Sequence, residues 1–259
     1  MENIDVIDKT EQIEYIYRGI MADKLYHGTE LPVGGSIFSD ELTIKLDLDF
    51  DYFKEDLENF NIETIENIYN KNKEKITEWL KATKSEIDPY FYFISSIVEN
   101  KVFNLLKANF EDDISRKRTE KYNKKHTKLS DLISMPQCAE ISALGQYLFQ
   151  QLDIESTYIS GVTISEDSMK NNGDLENHSF IFLNYNGKSF IFDIAKPIIL
   201  NNGDKIPRIL NVIPDFKKQL IGKNNLLIPA TDVITQKKRY YGVGNPSLIQ
   251  QLNITDKLS

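Results

Sequence analysis

The chain has 259 residues, of which 41% are hydrophobic and 27% are charged, proportions typical of a soluble globular protein. Its formal net charge of −8 argues against binding to nucleic-acid phosphates. It has no signal-peptide pattern and no apolar run long enough to span a membrane, which predicts a cytoplasmic protein without membrane contacts and leaves secretion without a cleaved signal open. With a single cysteine and three scattered histidines, we expect no internal disulfide, metal or cofactor.

The amino-terminal part of the chain, residues 1–112, is expected to be mainly helical. Apolar residues follow helical spacing between Ile62 and Leu80, and charged residues fill the other face. Asp88 followed by Pro89 is a helix start, an N-cap acid before proline in the first turn, and a second apolar stripe runs from there to Leu106. The alternating segment 43–53 predicts a strand with one polar face.

A basic stretch, Arg116–Lys128, holds seven Lys or Arg residues and one Glu in an otherwise acidic chain. One interpretation is a solvated helix face or loop. The other is a docking surface for an acidic partner or substrate.

Beyond residue 135 the pattern changes to one helix followed by short strands. Pro136 opens a helix whose apolar stripe is Cys138, Ile141, Leu144, Leu148 and Leu152, and residues 156–164 are expected to form a strand. Two further β-rich runs, 178–185 and 188–193, are separated by Asn186-Gly187, a strong signal for a hairpin with a type I′ turn. Short strands are expected to continue to about residue 241.

The predicted hairpin places two polar residues on one face of the sheet. A two-residue turn pairs Tyr185 with Lys188, so Phe180 faces Asp193 and His178 becomes a diagonal neighbour of Asp193. Diagonal neighbours lie roughly 7–8 Å apart at Cα, so the two side chains can meet. An aspartate that accepts a hydrogen bond from an imidazole fixes its tautomer and stabilises its protonated form.

Cys138 complements this pair because it is expected in the first turn of its helix. Free backbone N–H groups and the positive end of the helix dipole favour a thiolate there, as does an adjacent imidazolium. The same N–H groups can stabilise the oxyanion of a tetrahedral intermediate. The alternatives are a core cysteine, an incidental histidine and an aspartate that merely ends its strand. The compatible positions of all three favour a catalytic triad of Cys138, His178 and Asp193.

The segment PQCAEISALGQYLFQQLDIESTYISG, residues 136–161, resembles the transglutaminase-like superfamily. Gln137-Cys138 matches the start of that family's catalytic helix, residues 152–161 match the turn and strand that follow it, and His178 and Asp193 align with its later catalytic residues. Pro136 and Asp153 replace family glycines, and Phe180 replaces the usual tryptophan. The resemblance covers residues 130–197.

This resemblance implies an α+β fold with a papain-like core, in which a catalytic helix packs on an antiparallel sheet beside the mainly helical amino-terminal region. The domains would be residues 1–112, a catalytic core at 113–245 and a carboxy-terminal tail at 246–259. The implied activity is cysteine-dependent acyl transfer from an amide or peptide carbonyl through a thioester, as in a protease, glutamine deamidase or transglutaminase. A protein or peptide substrate is expected, and the polar segment 165–177 would help to shape the pocket.

Three other interpretations stay open. Cys138-Ala-Glu140 is similar to the Cys-x-Glu of arylamine N-acetyltransferases, although only 66 residues follow Asp193 and Glu140 then has a structural role. A binding module that keeps the fold without catalysis is the non-enzymatic alternative. Residues 26–29, Tyr-His-Gly-Thr, resemble a motif of ADP-ribosyltransferases, but a turn with positive φ at Gly28 also explains them.

Overall fold

The computed structural model describes residues 13–16, 19–32, 45–108, 126–171, 173–222 and 227–243. The expected tail at 246–259 and residues 116–125 of the basic stretch lie outside this part of the chain. The last three residues of that stretch form a short strand, residues 126–128. No helix among the described residues is long and apolar enough to cross a membrane.

The structure combines strands of two to ten residues with five α-helices in the described ranges. The strands are β1 (Ile13–Ile16), β2 (Gly19–Ala22), β3 (Glu30–Pro32), β4 (Lys45–Asp47), β5 (His126–Lys128), β6 (Ser156–Ser165), β7 (Glu176–Tyr185), β8 (Lys188–Phe192), β9 (Ile198–Ile199), β10 (Lys205–Ile206), β11 (Ile209–Asn211), β12 (Ile228–Asp232) and β13 (Lys238–Gly242). The helices are α1 (Ile62–Ala82), α2 (Pro89–Leu106), α3 (Cys138–Gln151), α4 (Glu166–Lys170) and α5 (Phe216–Gly222).

Six strands close into an antiparallel barrel in the order β6-β13-β12-β11-β8-β7, with β7 pairing back to β6. Strand β6 makes this closure possible because it is long enough to pair with β7 along one edge and with both β13 and β2 along the other. The amino-terminal strands β1 and β2 therefore extend the barrel sheet. Two small sheets, β3-β4-β5 and β9-β10, complete the strand pairing.

The expected fold class is wrong in two respects. The sheet is a closed barrel, not the papain-like arrangement of a helix on an antiparallel sheet, because β6 and β7 close it as neighbours. The amino-terminal region is not mainly helical, since β1 to β4 accompany α1 and α2. These strands have only three or four residues each, too few for alternation to show in the sequence. The segment 43–53 likewise contains the short strand β4 and then a 3-10 turn at Phe50–Phe53.

The barrel has two hydrophobic layers. Inward-facing residues from all six strands meet in one buried cluster, which includes Ile159, Phe180, Ile191, Leu210, Ala230 and Tyr241. Their neighbours on β6, β7, β8 and β11 face outward, and Tyr158, Ile181, Phe192 and Ile209 among them join a larger cluster with α1, α2 and α3. Outward-facing Val162 and Ile164 of β6 and Tyr240 of β13 belong to a smaller third cluster. That cluster draws on residues from both sides of the expected boundary at 112, and the domain limits stay a prediction. Side-chain alternation along each strand accounts for the separation into two layers.

Several local predictions are confirmed. Strands β7 and β8 form a hairpin with Tyr185 opposite Lys188, and Asn186 and Gly187 have φ values of 48° and 74°, as a type I′ turn requires. Helix α2 begins at Pro89 after Asp88, whose side chain accepts a 2.9 Å hydrogen bond from the Phe91 N–H. Gly28 has φ 76°, in the tight turn closed by the Thr29 N–H and the Tyr26 carbonyl.

Candidate active site

Cys138 is the first residue of α3, as predicted, and Gln137 is the N-cap. Glu140 is fully buried, and its Oε2 accepts a 2.7 Å hydrogen bond from the Gln137 N–H, which closes the first turn of the helix. Cys138 as a whole residue is neither fully buried nor fully exposed. The capping role of Glu140 explains the Cys-Ala-Glu pattern without the chemistry of an acetyltransferase.

His178 and Asp193 meet as the predicted register requires. His178 Nε2 lies 2.6 Å from Asp193 Oδ1, and both side chains are almost completely buried, at 3% and 0% exposure. His178 occupies an inward-facing position of β7, where its ring stacks on that of Phe180 at 6.5 Å between centroids. Asp193 follows the last residue of β8 and is held by a 3.0 Å hydrogen bond from its N–H to the Arg208 carbonyl.

The thiol of Cys138 and the imidazole of His178 lie close enough for each to shift the pKa of the other, so the structure brings all three predicted residues together. Because Nε2 of His178 contacts Asp193, the other ring nitrogen, Nδ1, is the atom available to the thiol. The aspartate, imidazole and thiol therefore lie in the sequence that nucleophilic catalysis uses, with the base between its orienting group and the nucleophile.

The charges at the site favour a thiolate–imidazolium pair. Burial alone would raise the pKa of Cys138, but the hydrogen bond and charge of His178, with the Ser179 backbone, hold it below its ordinary value. Burial alone would lower the pKa of His178, yet the charge and hydrogen bond of Asp193 raise it. Burial alone would raise the pKa of Asp193, but the charge and hydrogen bond of His178, the charge of Arg239 and the hydrogen bond of Tyr241 together outweigh it, so the carboxylate stays ionised.

A hydrogen bond that sequence reasoning missed ties α3 to β7 beside the site. Ser142, one turn after Cys138, donates from its Oγ to the carbonyl of Ser179, the residue after His178, over 2.9 Å. The Ser179 hydroxyl is in turn hydrogen-bonded to Tyr158 Oη at 3.0 Å. All these side chains are buried, so this contact fixes the helix start against the strand that carries the imidazole. A serine four residues after Cys138, on an otherwise apolar face, was the available signal.

Tyr241, on the inner face of β13, is a second residue that the sequence did not reveal. Its hydroxyl donates to Asp193 Oδ2 over 2.7 Å, and the side chain is fully buried. The tyrosine follows the aspartate by 48 residues and reaches it only because the barrel closes. No local spacing in the sequence could indicate this contact.

No metal-ligand cluster occurs among the described residues, and three clefts lie away from the triad. Among the described residues, no group of three or more His, Cys, Asp or Glu side chains is placed to hold a metal ion. Three clefts in the described part of the chain, of about 480, 610 and 530 Å³, are lined by residues other than the triad. The segment expected to shape the pocket contains α4, which Ser165 caps by accepting a 3.0 Å hydrogen bond from the Ser168 N–H.

In comparisons with known proteins, no family model and no curated protein matches this chain. The resemblance to the transglutaminase-like superfamily therefore stays a prediction, and the chemistry of the site must be argued from its geometry.

Proposed function

We propose that this protein is a cysteine-dependent acyl-transfer enzyme that acts on an amide or peptide carbonyl. The observation that carries the proposal is the arrangement of Asp193, His178 and Cys138, with 2.6 Å between Asp193 Oδ1 and His178 Nε2 and the thiol close enough to the same imidazole for each to shift the pKa of the other. A buried imidazole between an ionised carboxylate and a thiol at a helix start matches the needs of nucleophilic catalysis.

In the resting site His178 already holds the Cys138 proton as part of the thiolate–imidazolium pair, and the reaction begins when the thiolate attacks the carbonyl carbon. The carbonyl π electrons move to oxygen, and backbone N–H groups in the first turn of α3 stabilise that oxyanion. The intermediate then collapses, the C–N bond breaks, and His178 returns the proton to the leaving amine or ammonia. A thioester on Cys138 remains. Water resolves it to an acid and an amine nucleophile resolves it to a new amide, with His178 as the base in either case.

The geometry favours this chemistry over a scaffold role. A structural cysteine in a core has no need of a charged partner, whereas Cys138 lies beside the imidazole of His178, whose charge lowers the pKa of the thiol. Keeping Asp193 ionised in a fully buried position costs desolvation energy, which the contacts with His178 and Tyr241 and the charge of Arg239 together offset. A protein or peptide substrate and a cytoplasmic location are part of the proposal.

The chain's single cysteine makes the first test specific, since Cys138 is the only thiol that iodoacetamide can alkylate. The alkylation rate should rise through a midpoint below that of an ordinary thiol, and His178→Ala should move this midpoint upward. A glutamine-containing peptide incubated with the protein and a small primary amine then separates hydrolysis, deamidation and amide exchange by mass spectrometry. Cys138→Ala should abolish every product and leave the thermal midpoint nearly unchanged, since Ala is a good helix former. A folded Cys138→Ala protein with full activity would disprove the proposal.

A further inference from the structure

Asp193 is held through both of its carboxylate oxygens. Oδ1 faces His178 Nε2 at 2.6 Å, and Oδ2 accepts the Tyr241 hydroxyl hydrogen at 2.7 Å. A carboxylate anchored at one oxygen is free to rotate about its Cβ–Cγ bond, whereas two opposed hydrogen bonds fix its plane. The direction in which Asp193 presents Oδ1 to the imidazole therefore depends on Tyr241.

Tyr241 is itself immobilised. Its ring packs against Phe180 in the barrel interior, with 4.8 Å between centroids, and the side chain is fully buried. Burial, followed by the negative charge of Asp193, raises the pKa of the phenol well above its ordinary value. The hydroxyl consequently keeps its proton throughout the physiological range and can act only as the donor to Asp193.

Arg239 adds a positive charge on the same inner face of β13, two residues before Tyr241. Its charge acts on both Asp193 and Tyr241, favouring the ionised form of each. Its Nε and Nη2 atoms are buried and have no hydrogen-bond partner among the described residues. The guanidinium therefore acts on the carboxylate through its field, while Tyr241 provides the directional contact.

We infer that Tyr241 is a positioning residue for the triad, acting through Asp193 to hold the His178 imidazole against the Cys138 thiol. The catalytic meaning of this inference rests on the acyl-transfer function proposed above. Loss of the Tyr241 hydroxyl would leave Asp193 Oδ2 buried without a hydrogen-bond donor, which is unfavourable. The carboxylate would then rotate toward another donor. The imidazole would then spend part of its time away from the thiol.

The test compares Tyr241→Phe with Tyr240→Phe in the full chain. Both variants remove one hydroxyl from β13, but Tyr240 belongs to a cluster separate from that of Tyr241. Iodoacetamide is the probe, and alkylation of Cys138 is followed against pH. Tyr241→Phe should raise the pH midpoint of alkylation by about one unit, because the His178 imidazolium is no longer held beside the Cys138 thiolate and stabilises it less. Tyr240→Phe should match the wild type.

A second readout concerns the imidazole directly and needs no substrate. With three histidines in the chain, the downfield proton resonance of His178 Nε2–H can be assigned by comparison with His178→Ala. Tyr241→Phe should broaden or remove this resonance, whereas Tyr240→Phe should preserve it. If Tyr241→Phe does not fold, 3-fluorotyrosine at position 241 replaces it: the stronger donor weakens Oδ1 as an acceptor, so the resonance should move upfield.

The inference would be overturned if Tyr241→Phe kept the wild-type alkylation midpoint and an unchanged His178 resonance. It would also be overturned if Tyr240→Phe changed both readouts as much as Tyr241→Phe does. An unmoved His178 resonance in the 3-fluorotyrosine protein would overturn it as well. If the wild type makes no acyl-enzyme while Tyr241→Phe still shifts both readouts, the proposed chemistry fails and the positioning role stands.

Discussion

Replacing Asp193 by Asn removes one negative charge from the triad and leaves its shape nearly unchanged. The amide oxygen can still face His178 Nε2, which lies 2.6 Å from Oδ1 in the wild type. The Tyr241 hydroxyl, which lies 2.7 Å from Oδ2, would turn to accept a hydrogen bond from the amide nitrogen. An opposite charge at this range moves a pKa by roughly 1–3 units, so the pKa of His178 should fall by that amount. The thiolate–imidazolium pair loses roughly 1.4–4 kcal/mol as a result.

The assay is alkylation of Cys138 by iodoacetamide against pH. Because the thiolate is the reactive form and depends on the imidazolium, its midpoint should rise, and the rate at pH values below the midpoint should fall about 10-fold to 1000-fold. Any acyl-transfer turnover should fall in parallel, since His178 would be protonated less often when the leaving amine needs a proton. Titration of the His178 resonance measures the cause independently of substrate.

Asp49→Asn is a matched control, because Asp49 also accepts two hydrogen bonds, from the N–H and hydroxyl of Ser130, and stands outside the triad. It should leave the alkylation midpoint unchanged even if it lowers the melting temperature. An Asp193→Asn protein that folds and keeps the wild-type midpoint would refute the idea that the carboxylate supports the ion pair.

Two further predictions concern stability. A Cβ at Gly161, which pairs with His178, would lie 2.2 Å from the Gly242 carbonyl oxygen. Gly161→Ala should therefore push β6 from β13 and cost about 1–3 kcal/mol, and an unchanged denaturant midpoint would contradict this close approach. Burial raises the pKa of Glu99 from 4.5 to about 8, and the charge of Lys205 opposes this shift. Between these two pH values the folded protein therefore binds one more proton than the unfolded chain. The free energy of unfolding should fall as the pH rises from about 4.5 to about 8. The free energy of unfolding should change by at most about 1.4 kcal/mol per pH unit. Glu99→Gln should remove this pH dependence. Melting curves with the same pH dependence in the wild type and in Glu99→Gln would exclude this explanation.

The candidate site could be predicted because its parts are defined by local rules. Asn186-Gly187 determines the turn and thus the register, and the register alone places His178 and Asp193 on one face. Pro136 and the apolar stripe locate the helix start at Cys138. The supporting contacts of Ser142 and Tyr241 were missed because each joins segments far apart in the chain.

The sequence by itself determined the secondary structure around the site, since turn chemistry, helix capping and side-chain alternation act over a few residues. Only the tertiary structure decided that the sheet closes and that β2 joins it. Closure depends on β6 pairing with β7 along one edge and with β2 and β13 along the other. Backbone hydrogen bonds between strands are much the same for any sequence, so the choice of partner rests on the packing of the whole interior and leaves no local pattern.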